Sequence, residues 1–114
     1  MPSTTRYKRG DIVLVPFPFT DLSSSKRRPA LVISPDAFND QDIVVAAITS
    51  QLTEQQHSLS ILQHDCVEGM LPKPSLVKLT KLFTIHSTLI VKRLCAVREE
   101  KLTAVLDELR QFFS

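Results

Sequence analysis

Glycine is nearly absent from this chain, with two residues in 114 against seven prolines. So little glycine leaves no material for a glycine-rich phosphate loop and predicts stiff connections. There is no Gly-x-Ser-x-Gly elbow and no His-Glu-x-x-His pair, which argues against two common hydrolase designs. Cys66 and Cys95 stand alone, with no Cys-x-x-Cys and no histidine pair at zinc spacing, and read as buried or semi-buried free thiols. Asp36, Asp40 and Asp42 resemble a metal cluster only on paper, since Asp and Asn gather in turns for their own reasons. No metal or other cofactor is therefore expected. The longest apolar run, Ile43 to Ile48, is six residues, against the roughly 20 that a membrane helix needs. Met1 to Gly10 carries cations but no apolar stretch, so it does not read as a signal peptide. The expectation is a soluble, cytoplasmic protein with no membrane partner.

What is present is an ordinary globular composition, 43% apolar and 23% charged, enough for one core and one domain over residues 1–114. The net charge of +2 conceals a pattern. Residues 1–34 carry six Lys/Arg against two Asp, residues 35–66 carry five acids and no Lys/Arg, and residues 67–114 carry eight bases against five acids. If folding joins the two basic segments, the result is a positive surface suited to phosphate. On charge alone, a solvated mixed surface is the commoner outcome.

Taken in order, residues 1–8 are polar and read as flexible. Asp11 to Val15 reads as a strand, ended by the alternating prolines of Pro16 to Asp21. A long loop, Leu22 to Arg28, precedes a second strand at Ala30 to Ser34. Ser34-Pro35-Asp36 opens a short helical turn, with serine as the cap. Ile43 to Ile48 is unbroken apolar, the pattern of a strand covered on both faces. His57 to Leu62 alternates, as a strand with one wet face does. Asp65 to Pro74 is rich in turn residues. Ser75 to Lys78 and Leu82 to Ile85 read as two strands or one bent strand, and Arg93 to Ala96 as a last one. Leu102, Val105, Leu106, Leu109, Phe112 and Phe113 recur at helical spacing, so residues 98–113 form an amphipathic helix. Short strands with one terminal helix suggest a small, partly open barrel.

The densest chemistry lies at Lys26-Arg27-Arg28-Pro29-Ala30-Leu31-Val32-Ile33-Ser34, where three cations run into a core strand. Pro29 restricts Arg28 to extended backbone and so gives that arginine a defined direction. With this block, Arg9-Gly10-Asp11-Ile12-Val13-Leu14-Val15, Val45-Ala46-Ala47-Ile48-Thr49-Ser50-Gln51, Pro74-Ser75-Leu76-Val77-Lys78 and Phe83-Thr84-Ile85-His86 together resemble the MazF/PemK family of toxin endoribonucleases. The resemblance runs from residue 7 to about residue 112 and rests on the order and separation of the blocks. It implies a mainly β, SH3-like partly open barrel (MazF/PemK/CcdB-like) with short helices and a C-terminal amphipathic helix. It also implies a homodimer, metal-independent cleavage of single-stranded RNA, and neutralisation by a cognate antitoxin with an acidic, disordered segment. The family's catalytic arginine and threonine fall on Arg28 and Thr49. Some members place an arginine and an aspartate two apart on a later strand, where this chain has Lys78 and Thr80.

The chemistry suits these residue types. RNA is cut when its own 2′-hydroxyl attacks the adjacent phosphate, and charge then develops on the phosphate oxygens. A guanidinium offers paired, permanently charged donors for that charge, the role assigned to Arg28. Thr49 can donate to a phosphate oxygen or accept from the 2′-hydroxyl. Neither is a base at neutral pH. Lys26, Arg27, Lys78 and Lys81 are expected to hold the RNA backbone, with Ser50, Gln51 and Ser75 lining the groove. Phe17 and Phe19 could stack bases, although packing against the barrel or at a dimer contact is the commoner fate. His57, His64 and His86 are scattered and read as structural or solvated. His57, beside the loop after the third strand, could also touch RNA. The rival reading is the same barrel as a non-cleaving nucleic-acid binder, or as a toxin aimed at a protein such as a topoisomerase.

Overall fold

The computed structural model of the chain describes residues 7–16, 26–53 and 56–114. Residues 1–6 and the stretch 17–25, with Phe17, Phe19 and the three serines, lie outside the described residues. Seven strands form one antiparallel sheet: β1 (Asp11–Pro16), β2 (Arg27–Val32), β3 (Asp42–Thr49), β4 (Ser58–Ile61), β5 (Cys66–Val67), β6 (Ser75–His86) and β7 (Lys92–Val97). Their order across the sheet is β4-β6-β3-β2-β1-β7-β5, followed in sequence by helix α1 (Glu99–Phe113).

The two edge strands are neighbours in sequence. One 3-10 turn, Gln63–Asp65, carries the chain from β4 to β5, so the sheet must curl until its edges nearly meet. Asp65 holds that junction: its carboxylate accepts from the Leu62 N–H at 2.9 Å, and its carbonyl accepts from the Arg98 N–H at 2.7 Å. The result is the nearly closed, mainly β barrel.

The apolar runs of β1, β2 and β3 are largely buried on both faces. One face gathers Ile12, Leu31, Ile48, Val77, Leu79 and Val105 into the interior, with Leu102 and Leu109 of α1 packed against it. The opposite face gathers Val13, Val15, Ala30, Val32, Val45 and Ile85, with Tyr7 and Phe83 at its margin. Val105 is the fully buried anchor of the helix. Gly10 sits beneath the helix at φ +99, and a Cβ there would stand 3.3 Å from Leu102 Cδ2. No helix among the described residues is long and apolar enough to cross a membrane.

Three local expectations change and one open choice is decided. The second strand begins at Arg27 and ends at Val32, because its pairing with β1 extends through Val15↔Arg28 and Pro16↔Arg27. Ser34 does not cap a helix. Its buried hydroxyl accepts from the Val44 N–H at 3.1 Å and donates to the Asn39 side chain, which ties the turn to β3. The short strand β5, hidden in a turn-rich segment, forms because its two residues pair with Val97 and Ala96. Of the two readings of the late segments, the single bent strand holds: they are one strand, β6, with an irregularity. Lys78 faces Ala47 and Leu82 faces Ala46, so Leu79, Thr80 and Lys81 form a bulge between adjacent partners.

Candidate functional site

Arg28 owes its position to two prolines' worth of backbone constraint. Pro29 follows it in β2 and Pro16 ends the neighbouring β1. The recorded pairing of β2 with β3 runs Val32↔Val45, Leu31↔Ala46 and Ala30↔Ala47. Pro29 has no N–H to add to that ladder. The same register carried two residues further sets Arg28 across from Thr49, on the face shared by Ala30 and Ala47. Residues far apart in sequence thus meet at adjacent strand ends.

The bulge in β6 completes the arrangement. Leu79 turns inward, fully buried, and its N–H donates to the His57 carbonyl at 2.9 Å. Thr80 and Lys81 are left exposed. A cavity of about 550 Å³ lies over this region, lined by Arg28, Thr49, Gln51, Lys78, Thr80, Lys81 and Phe83, with Ala47, Ile48 and Leu82 as its apolar wall. A second cleft of about 520 Å³ lies on the other side of Arg28. Lys26, Arg27, Ser50 and Ser75 line it, together with Lys73 and Lys92. Arg28 belongs to both. All nine residues selected from the sequence line one cleft or the other, and Ile48 also borders both.

Local bonds refine what each group can do. The Thr49 hydroxyl accepts from the Gln51 N–H at 3.1 Å, which leaves its proton to donate outward. Ser75 is buried and donates to the Lys73 carbonyl at 2.8 Å, so its donor is already engaged. Among the described residues, no ion pair joins Lys26, Arg27, Lys73, Lys78, Lys81 or Lys92 to a carboxylate. No carboxylate or imidazole is found among the described residues lining the first cavity. The site is therefore a concentration of positive charge beside hydroxyl donors, suited to a polyanion.

The other titratable groups serve the fold. His57 Nδ1 meets Glu108 Oε2 at 2.9 Å, and its ring packs on Phe112 with centroids 4.9 Å apart. The pairing joins the loop before β4 to α1. His86 Nδ1 accepts from the Thr88 N–H and so caps the 3-10 turn Ser87–Leu89. The Asp36 carboxylate accepts from the Arg9 N–H at 2.8 Å, a bond to the segment before β1 and not one within its own turn. Cys66 and Cys95 are buried and free, and the Cys95 thiol is pushed up to about 12 by burial and by the adjacent Cys66. Phe83, Lys73 and Lys92 are lining residues that were not among the candidate site residues. Phe83 opens one of the blocks that carry the resemblance without being singled out, Lys73 offers a faint signal as a cation held between Pro72 and Pro74, and Lys92 carries none.

The family model for PemK-like, MazF-like toxins of type II toxin–antitoxin systems matches residues 8–113. A comparison with curated proteins finds no match. Among solved structures, MazF (Form-I) from Deinococcus radiodurans is similar at 20% identity and TM-score 0.76, covering 96% of this chain and 98% of that one. A MazE–MazF structure (Form-III) from the same organism is similar at 21% identity and TM-score 0.76, covering 94% and 95%. An endoribonuclease in complex with its cognate antitoxin, from a mycobacterial species, is similar at 17% identity and TM-score 0.72, covering 92% of each chain.

Proposed function

Because this chain belongs to the PemK-like, MazF-like toxins of type II toxin–antitoxin systems, we propose that it is an endoribonuclease that cleaves single-stranded RNA without a metal. The observation that carries the reading is the meeting of Arg28 and Thr49 with Lys78 and Lys81 in one cavity that holds no carboxylate among its described lining residues. Arg28 stabilises the charge that develops on the phosphate oxygens as the 2′-hydroxyl attacks. Thr49, its oxygen already accepting from the Gln51 N–H, donates a hydrogen bond to a phosphate oxygen. Lys78 and Lys81 hold the adjoining backbone, and Gln51 presents an amide to a base edge. The positive charge that a metal ion supplies in other nucleases comes here from side chains.

The same cationic surface suits an acidic antitoxin segment that orders on binding and covers Arg28. Two of the similar solved structures pair a toxin with its antitoxin, which supports that partner. We place the protein in the cytoplasm as a homodimer.

The test is direct. Wild type, Arg28→Ala and Thr49→Ala are incubated with a long single-stranded RNA in the presence of chelator. Discrete cuts by wild type, abolished by Arg28→Ala, are the expected result. Tight binding with intact RNA at high protein overturns cleavage in favour of a binding module. Equal cutting by all three proteins points to a contaminating nuclease and leaves the proposed enzyme without activity of its own.

A further inference from the structure

The pair that fastens α1 to the barrel also reaches the β6 bulge. His57 adopts φ +57, a left-handed backbone that residues other than glycine take rarely. In that conformation its carbonyl accepts from the Leu79 N–H at 2.9 Å, just where the pairing of β4 with β6 stops at Ser58↔Lys78. Leu79 opens the bulge and is fully buried, so its N–H needs an acceptor inside the protein. With Leu79 seated inward, Thr80 and Lys81 come out on the cavity side. The same histidine is held from the other direction. Its Nδ1 meets Glu108 Oε2 at 2.9 Å, and its ring centroid lies 4.9 Å from that of Phe112 at an interplanar angle of 48°. Both partners belong to the C-terminal half of α1.

We infer that His57 is a positioning residue for the cavity. Glu108 and Phe112 of α1 hold its ring, and its carbonyl holds the bulge that presents Lys81 to the cavity shared with Arg28. A side chain on a bulge is aimed only as firmly as the bulge is fixed. A left-handed residue keeps its backbone only while its surroundings hold it, and here those surroundings include a carboxylate and a ring on the helix. His57 itself acts through Leu79 and Lys81 and not on the RNA. The inference rests on the reading of the protein as an RNA endonuclease for the task of Lys81, a phosphate contact. It adds that the far end of the chain sets how that lysine is presented.

Two measurements on the full chain test this, the first without RNA. Amide hydrogen exchange is followed residue by residue in wild type, Glu108→Ala and Glu108→Gln. Glu108→Gln keeps an acceptor for the His57 ring, and the two variants carry the same charge. The Leu79 amide is expected to exchange about tenfold faster in Glu108→Ala, with the amides of β1 and β2 unchanged. Glu108→Gln stays close to wild type. The second measurement is binding, over a range of salt, to a single-stranded RNA with 2′-O-methyl groups throughout, which cannot be cut. Lys81→Ala is expected to lower the slope of log affinity against log salt by about 0.7. Glu108→Ala lowers it in the same direction, Glu108→Gln leaves it at the wild-type value, and Glu108→Ala adds nothing further in a Lys81→Ala background. Leu79 exchange that is unchanged in Glu108→Ala, or raised equally across β1 and β2, overturns the link from α1 to the bulge. Full additivity of Glu108→Ala and Lys81→Ala overturns the positioning of Lys81. Failure of wild type to cleave unmodified RNA removes the nuclease reading, and the exchange result is decided without it.

Discussion

Around α1 the charged side chains find partners within the protein. Glu108 meets His57 at 2.9 Å, Lys101 reaches Asp65 at 3.7 Å and the Ser60 carbonyl at 2.9 Å, and Arg98 donates to the His64 carbonyl at 2.6 Å. Across the ends of β2, β3 and β6 the same residue types are left to solvent: Lys26, Arg27, Lys78 and Lys81 pair with no carboxylate among the described residues. One region uses charge to fasten a helix to a barrel, at modest gain per exposed pair. The other gathers like charges with no ion pair to a carboxylate among the described residues. Such a surface is suited to an anion that arrives from outside.

The contrast is broken most severely by exchanging the expected phenotypes of the two regions. Arg28→Ala is expected to lower the cleavage rate by about 10²–10³-fold with little change in melting temperature. Val105→Ala, under the helix, is expected to cost about 1–3 kcal/mol in urea unfolding and leave the rate per folded molecule unchanged. A crossed result, with stability lost at Arg28 or rate lost at Val105, would merge the two regions.

The next effect belongs to the fold alone. Gly69 adopts φ +140, and a Cβ there would lie 2.1 Å from the Leu94 carbonyl oxygen. Gly69→Ala is therefore expected to destabilise the barrel by at least about 2 kcal/mol, read as a lower urea midpoint. An unchanged midpoint would mean that the loop between β5 and β6 yields easily where it packs on β7.

A smaller effect sharpens the chemistry of the cleft. With no carboxylate or imidazole among its described lining residues, kcat/KM is expected to rise across about pH 4–8 without an inflection in the carboxylate or imidazole range. A bell-shaped profile centred there would call for an acid–base pair from elsewhere in the chain.

The smallest effect concerns Asp11, whose carboxyl is raised above its usual value chiefly by burial, against the Lys8 N–H and the Arg93 charge. A folded-state pKa above the unfolded one means that the protonated carboxyl favours the fold. That contribution is complete in acid and is lost as pH rises through the folded pKa. Asp11→Asn, uncharged throughout, should gain on wild type in melting temperature as the pH is raised from acid towards neutrality. A constant difference between the two proteins would show that burial does not govern this carboxylate.

Strand character was legible wherever apolar runs exceeded what one face could bury, as at Ile43 to Ile48, and the helix was legible from spacing alone. Strand limits were not. Arg27 and Arg28 are poor strand formers, yet they extend β2 because Pro16 and Val15 stand opposite them. Asn39 carries no signal in a run of turn residues, yet its buried side chain bonds the Tyr7 and Ser34 carbonyls and holds the turn together. His57 looked unattached because its carboxylate partner, Glu108, lies on a helix at the far end of the chain. Such pairings depend on register, and register depends on the whole sheet.

By itself the sequence determined which side chains could carry the chemistry. A guanidinium fixed by a following proline and a threonine closing an apolar strand keep those properties in any fold that preserves the two strands. Only the tertiary structure decided their grouping. The β6 bulge turns Thr80 and Lys81 outward beside Arg28, and curling of the sheet separates Lys26 and Arg27 from Lys78 and Lys81 into different clefts. The physical reason is that alternation along a strand is a local property, whereas the side of a cleft on which a residue falls is set by pairing between strands.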